Sequence, residues 1–572
     1  MTIEGSNRPA LGPKLWGMKR VVSLFLIFGA FAFSRAQMSH SGDGNKVQDI
    51  SRQAPILQGL GFHTFPVSTK NPTAQKLIDQ GLVLNYAFNH AEAHRSFTHA
   101  ADWDPNLAMA YWGQALALGP HINAAMDDAN VPKAWEAIQK AVKLMGTATA
   151  REKAFINALS KRYSPTPTKD RSPLDKSYAE AMREVVKQFP EDPDALTLCA
   201  ESLMNLHPWD YWKKDGSAQP WTQEFVDMLE KALRLDPMNP GALHLYIHAV
   251  ESSPDPFRAS DEADRLQYLT PAAGHLVHMS GHIYVRTGRY AEASLSNELA
   301  IKADDDYLAQ CRRQGIYPLM YMPHNWHFLW FSRTFEGKSK QAMEAAREMA
   351  KRIDAKLMVQ PGLEGLQHLY SSPIYGLARF GLWDEALQEP APTQDAVYVR
   401  GAWHFARGLA FIRKQRVKEA ESEITALETL IADPKLKAIV LDGMCPADHL
   451  FGIARNILKG ELAASTKDYP AAIAHLTKAV EMEDQNLYME PAYWAHNTRT
   501  VLGAVLVEAG KGAEAEAVYL KDLANNPENG WALFGLSRAY ELQGKLVEAA
   551  RTRARFKLAW KGADMELASS RK

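Results

Sequence analysis

The chain has 572 residues, with 65 Lys and Arg against 66 Asp and Glu, a formal net charge of −1. At 23% charged and 46% hydrophobic, with no polybasic tract, it has an ordinary soluble globular composition, which argues against nucleic acid or anionic membrane as a partner. The three cysteines, Cys199, Cys311 and Cys445, are odd in number and far apart, so no disulfide framework is expected and each reads as a buried free thiol.

Near the start, Lys19 and Arg20 precede an apolar run from Val21 to Phe33, and Ser34-Arg35-Ala36 supplies small residues for a cut before Gln37. A run of that length falls short of the roughly 20 residues needed to span a bilayer as a helix, so residues 1–36 read as a cleaved export signal. No second such run follows, and no cysteine follows to take a lipid, so no transmembrane segment is expected in the mature protein. Its expected location is the periplasm or the cell exterior. Met18 stands directly before the Lys-Arg pair, so translation begins at Met1 or at Met18 with the same export reading. Loss of residues 1–36 leaves a mildly acidic protein of net charge about −5. Residues 37–70, rich in Ser, Gly and Gln, read as a mobile polar leader.

From residue 71 a helical pattern recurs. Gly81, Ala93, Phe97, Ala100 and Pro105 set its offsets, which Gly503, Ala515, Tyr519 and Pro527 repeat, as do Gly460, Ala472, Leu476 and Ala479. Gly281, Ala293 and Ala300 repeat three of them, Gly408 with Ala420 and the Trp326 to Ala342 stretch are weaker copies, and Trp531 to Gly535 opens a last one. Proline-bounded helices are expected over Asp192 to Leu206 and Trp221 to Leu235. Gly119 to Pro132, Ser164 to Pro173 and the aromatic segment His207 to Trp221 read as loops. No window shows sustained β-branched alternation, so the fold class is all-α, one continuous solenoid of roughly ten helix pairs over 71–565 with a short tail at 566–572.

These offsets resemble the tetratricopeptide repeat, in which small residues let two antiparallel helices approach and a proline ends the second. Over about residues 71 to 560, with Phe88-Asn-His-Ala-Glu-Ala and His275-Leu-Val-His-Met-Ser-Gly-His-Ile-Tyr as characteristic segments, the chain is similar to bacterial members of that family. The resemblance implies a right-handed superhelical solenoid whose concave groove binds a protein, peptide or small ligand, and it implies no reaction.

The 19 histidines concentrate on this pattern. In the family, groove positions lie three before and one after the small residue of each first helix. With Gly281 as that residue, the resemblance places His278 and His282 in the groove and His275 one turn earlier; with Trp330 in the same role, it places His324 and His327 there. Helix geometry alone puts positions 275, 278 and 282 at about 0°, −60° and −20°, one stripe, and His244, His248 and Glu251 within about 60°. Residues 275 and 282 lie about 10.5 Å apart along the axis, too far to share one ion comfortably, so a site would combine two rings of this helix with partners from its neighbours. The candidate metal ligands are His248, His278, His282 and His327, with Glu251 as a further ligand or as the group orienting a ring. A nitrogen-rich set of this kind suits copper, zinc or iron better than magnesium or calcium. His244, His275, His324, His368, Tyr321 and Trp326 are the expected remaining groove lining. His90 and His94 read as packing residues, and His121 as either a helix cap or a functional loop histidine. No phosphate loop, H-E-x-x-H, G-x-S-x-G or C-x-x-C is present. Three functions stay open: a binding scaffold with a His- and aromatic-lined groove, a metal-dependent enzyme built in the same groove, or a polysaccharide-binding module for envelope assembly.

Overall fold

The computed structural model describes residues 53–311 and 317–572, and the expected export signal lies outside them. Early repeats comprise α1 (Pro72–Tyr86), α2 (His90–Trp103), α3 (Ala108–Ala117), α4 (Val131–Leu144), α5 (Ala150–Leu159), α6 (Ser172–Gln188), α7 (Pro193–Met204) and α8 (Thr222–Leu235). The middle is α9 (Pro240–Val250), α10 (Ser260–Leu269), α11 (Gly274–Arg286), α12 (Tyr290–Gln310), α13 (Tyr317–Phe335) and α14 (Ser339–Arg352), followed by the short α15 (Leu366–Tyr370), α16 (Ser372–Phe380) and α17 (Trp383–Gln388). Late repeats are α18 (Val397–Arg413), α19 (Val417–Ala432), α20 (Pro434–Ala438), α21 (Ala447–Ser465), α22 (Tyr469–Glu483), α23 (Thr498–Glu508), α24 (Gly512–Asn525), α25 (Gly530–Leu542) and α26 (Leu546–Ala559). Successive helices pack as antiparallel pairs into an all-α helical-repeat solenoid. Among the described residues the strands are a two-residue hairpin, Val440–Leu441 with Cys445–Pro446.

The repeat residues act as read. Phe97 on α2 fills a slot between two first helices: a Cβ on Gly81 would come within 2.7 Å of its ring and one on Gly113 within 2.3 Å. Tyr519 on α24 does the same between Gly503 and Gly535, at 2.4 and 2.2 Å. Ala93, Ala293, Ala420, Ala472 and Ala515 are all fully buried where paired helices touch. Asn or Asp before Pro starts several helices. Asn71, Asp192, Asn239 and Asp433 each accept backbone N–H bonds, and the proline after each occupies a position whose N–H would be unpaired.

Residues 53–70, the described part of the expected polar leader, pack against the first repeats. Leu57 N donates to Gln80 Oε1 at 2.8 Å, and Phe65 is fully buried, stacked on Trp112 with centroids 5.6 Å apart. The apolar side chains in this polar stretch, Leu57, Leu60 and Phe65, anchor it.

The superhelix winds back on itself. Lys214 Nζ donates to Gln485 O at 2.5 Å, Arg286 Nη1 to Asn525 O at 3.1 Å and Trp531 Nε1 to Thr334 O at 3.1 Å. Gln485, Asn525 and Trp531 therefore meet the loop after α7 and the C-terminal ends of α11 and α13, so the expected groove is closed on that side.

Candidate metal centre

Helix α9 is buried along its whole length, and so is α11 from Gly274 to Val285. A helix apolar on all sides sits inside a protein, and the histidines on α9 and α11 go inside with it. With His324 of α13, the structure gathers these five rings into two triads. His244, His248 and His275 each offer a nitrogen, all within 4.8 Å of one another; so do His278, His282 and His324, the last of which is partly exposed. His275 and His282 fall in different triads, as their axial separation requires.

The far side of each ring fixes its tautomer. Asn297 Nδ2 donates to Ala293 O at 2.8 Å, so Asn297 Oδ1 is the atom that accepts from His278 Nδ1 at 2.7 Å. The His282 Nδ1–H donates to Glu251 Oε2, and the His248 Nδ1–H to Glu251 Oε1 at 2.7 Å. His244 Nδ1–H donates to Tyr86 O at 2.5 Å. All four rings then turn Nε2 inward, as a lone pair wherever the ring is neutral. His278 Nε2 and His282 Nε2 face each other at 3.0 Å. In the other triad His244 Nε2, His248 Nε2 and both nitrogens of His275 are buried without a hydrogen-bond partner. Each such atom costs about 1–3 kcal/mol unless something fills its valence.

Burial holds the His244, His275, His278 and His324 imidazoles well below their ordinary range, and neighbouring imidazoles push the same way. Burial also lowers His248, despite its bond to Glu251. For His282 burial is outweighed by the Glu251 carboxylate, with Glu490 adding to it, and the ring is held above its ordinary value. Glu251 itself would be raised by burial, but the charge on His282 and bonds from both rings hold it below the usual carboxylate range. Glu490 is pushed up to about 8, by burial first and then by the charge of Glu251. Without an ion, one proton on His282, donated to His278, satisfies the facing nitrogens.

Aromatic rings wall the site. Phe88 lies 4.6 Å from His244 and 5.2 Å from His275, Trp209 sits edge-on to His248 at 5.0 Å, and Phe328 contacts His278 and His282 at 4.6 and 4.5 Å. Phe88 and Trp209 hold positive φ, 55° and 62°. Phe88 occupies the turn that Gly288 fills between α11 and α12, so an aromatic ring is held over the imidazoles at some backbone strain. Tyr321 packs edge-on to His275 at 4.8 Å and accepts from Asn123 Nδ2 at 3.2 Å, and Asn123 Oδ1 accepts from Trp209 Nε1 at 3.1 Å. The loops expected after Gly119 and after His207 thus meet at the site. His121 joins it by stacking on His90 at 4.3 Å and Phe88 at 5.0 Å, and His90, read as packing, lines the same wall.

Three expected residues lie elsewhere. His327 does not join His248, His278 and His282: three residues past His324 its ring turns from α11, stacking on Trp330 at 5.5 Å and meeting His368 edge-on at 5.5 Å. His368 Nδ1 pairs with Tyr398 Oη at 2.8 Å. Trp326 lies under the Arg352 guanidinium, 4.5 Å away on the α14 side. His248 is also regrouped, with His244 and His275 rather than with His278. Glu490 and Tyr488, from the segment before α23, were not legible. Tyr488 Oη donates to Glu251 Oε2 at 3.4 Å, and Glu490 Oε2 stands 3.8 Å from His282 Nδ1. Asn297 carried a signal: it lies on the second helix, beside Ser296, where a Cβ on Gly281 would meet it at 2.8 Å.

The chain matches no known protein family, and none of the curated proteins matches it. Among solved structures it is similar to the human IFIT1 dimer with m7Gppp-AAAA, at 15% identity over 86% of this chain and 91% of that one, with a TM-score of 0.30. The APC/C hetero-tetramer Cut9-Hcn1 is similar at 14% identity over 86% and 74%, with a TM-score of 0.28, and Ypp1 at 9% over 84% and 88%, with a TM-score of 0.34. At these scores the likeness says nothing about the imidazoles, which stand on their own geometry.

Proposed function

We propose that this helical-repeat protein is a ligand-binding scaffold whose ligand in the histidine chamber is a transition metal ion, held by His278, His282 and His324. One observation carries the reading: two ring nitrogens, each with its Nδ1–H already committed, face each other at 3.0 Å. Metal–nitrogen bonds of about 2.0–2.1 Å at ordinary coordination angles set ligand nitrogens about 2.9–3.4 Å apart, so this pair fits one ion. Glu251 and Asn297 behind the rings fix their orientation, as outer partners of metal-bound histidines do. His278 and His282 are buried, so what binds between them is ion-sized, and a protein or peptide partner would use other parts of the scaffold. An all-imidazole set suits copper, zinc or iron. With the export signal read in residues 1–36, the ion would be acquired in the periplasm or outside the cell.

A metal-dependent enzyme is the second reading, favoured by the partly exposed His324: three protein nitrogens leave a coordination position open, the pattern of catalytic rather than structural ions. The test is the metal content of untagged mature protein by inductively coupled plasma mass spectrometry. Near-stoichiometric copper, zinc or iron that disappears in the His278→Ala/His282→Ala variant supports the scaffold as a metal holder. Protein that is metal-free, and stays so after challenge with each ion, overturns it.

A further inference from the structure

The triad of His244, His248 and His275 is not explained by one ion at His278, His282 and His324. Four of its ring nitrogens are buried without a partner, and the ligand atoms converge within 4.8 Å. A chamber lining satisfied by its neighbours would pair these atoms, since buried polar groups in folded proteins almost always have partners. Spacing between the triads matches spacing within them. His248 and His282 lie 5.5 Å apart and His275 and His278 5.7 Å, against 4.8 Å for His244 with His248 and 4.9 Å for His278 with His282. A single carboxylate also serves both: Glu251 accepts from His248 of one triad through Oε1 and from His282 of the other through Oε2. Glu490 brings a second carboxylate to the same place, near His282 and Arg286.

We infer that the two triads hold two transition metal ions as one paired centre, with Glu251 orienting a ligand of each. This rests on the metal-holding reading above and adds to it a second ion at His244, His248 and His275 and a separation short enough for the ions to sense each other. Two dications among neutral imidazoles carry a net charge that Glu251 and an ionised Glu490 would offset.

Metal-free full-length protein titrated with copper(II) tests this, with bound metal measured after dialysis and electron paramagnetic resonance recorded at each step. Two bound equivalents are expected, the second bringing dipolar broadening or loss of the isolated-ion signal. The His244→Gln/His275→Gln variant, folded by circular dichroism, is expected to bind one ion with an unbroadened signal. Two equivalents giving two isolated signals would overturn the pairing. A single equivalent in the wild-type protein would overturn the second site while leaving the first. No bound copper, zinc or iron at all would overturn the metal-holding reading with it.

Discussion

The two halves of the solenoid fill their interiors differently. In the late repeats buried charges meet partners: Arg413 Nη2 donates to Glu461 Oε1 at 2.8 Å, Arg571 pairs with Glu461 and, at 2.6 Å, with Glu508, and His404 Nδ1 bonds Glu423 Oε2 at 2.6 Å. The chain's last residues help to close this half, as Ser570 Oγ donates to Thr500 O at 2.7 Å and Arg413 Nε to Lys572 O at 2.7 Å. Around α9 and α11 the buried polar atoms include ring nitrogens that face one another or have no partner. Among the described residues, every set of three candidate ligand atoms within 4.8 Å includes a residue of α9, its capping Glu251, or α11. One scaffold thus ties buried charges into ion pairs in one half and gathers buried imidazoles in the other.

Two carboxylates sharpen that contrast. Glu251→Ala is expected to have the largest effect, because both His248 and His282 lose their acceptor: breaking a buried ionic network of this kind costs about 3–5 kcal/mol. Glu251→Gln should keep more of the stability yet weaken metal binding about 10–100-fold, the usual result of altering a group that orients a metal ligand. Urea midpoints and chelator competition measure the two effects. Glu461→Ala, which takes one buried carboxylate from both Arg413 and Arg571, should destabilise by about 3–5 kcal/mol while leaving the number of bound ions unchanged. Loss of metal in Glu461→Ala would dissolve the distinction between the halves.

A smaller effect concerns pH. Glu490 is raised to about 8, so the folded metal-free protein keeps a proton that the unfolded chain releases near the ordinary carboxyl value of 4.5. Between those values the folded state binds more protons, and stability falls as pH rises through the window. Glu490→Gln removes that dependence. Its melting temperature should match the wild type near pH 4 and exceed it near pH 8, measured without metal by calorimetry; equal melting temperatures at both pH values would refute the shift.

Much of the scaffold was legible because tetratricopeptide spacing is local. Gly81, Ala93 and Phe97 lie within one helix pair, and the slot that holds Phe97 follows from their offsets. The histidine stripes were legible for the same reason, since one turn of helix sets His244 beside His248 and His278 beside His282. Grouping them was harder. It depends on how α9, α11 and α13 cross, which turned His327 toward Trp330 and gave His248 to a different triad. Glu490 and Tyr488 reach Glu251 and His282 only because the superhelix closes on itself, and no local spacing encodes that return. Phe88 and Trp209 were hidden too, because positive φ at an aromatic residue runs against the ordinary preference of the backbone.

The most direct measurement is a crystal structure of metal-loaded protein with anomalous data collected at the absorption edge of the ion found in it. The expected result is an anomalous peak between His278, His282 and His324, with ring nitrogens about 2.0–2.1 Å away and Glu251 still accepting from His282 Nδ1. A peak on surface carboxylates alone, with the imidazoles paired to one another and to ordered water, would contradict the chamber's need for an ion.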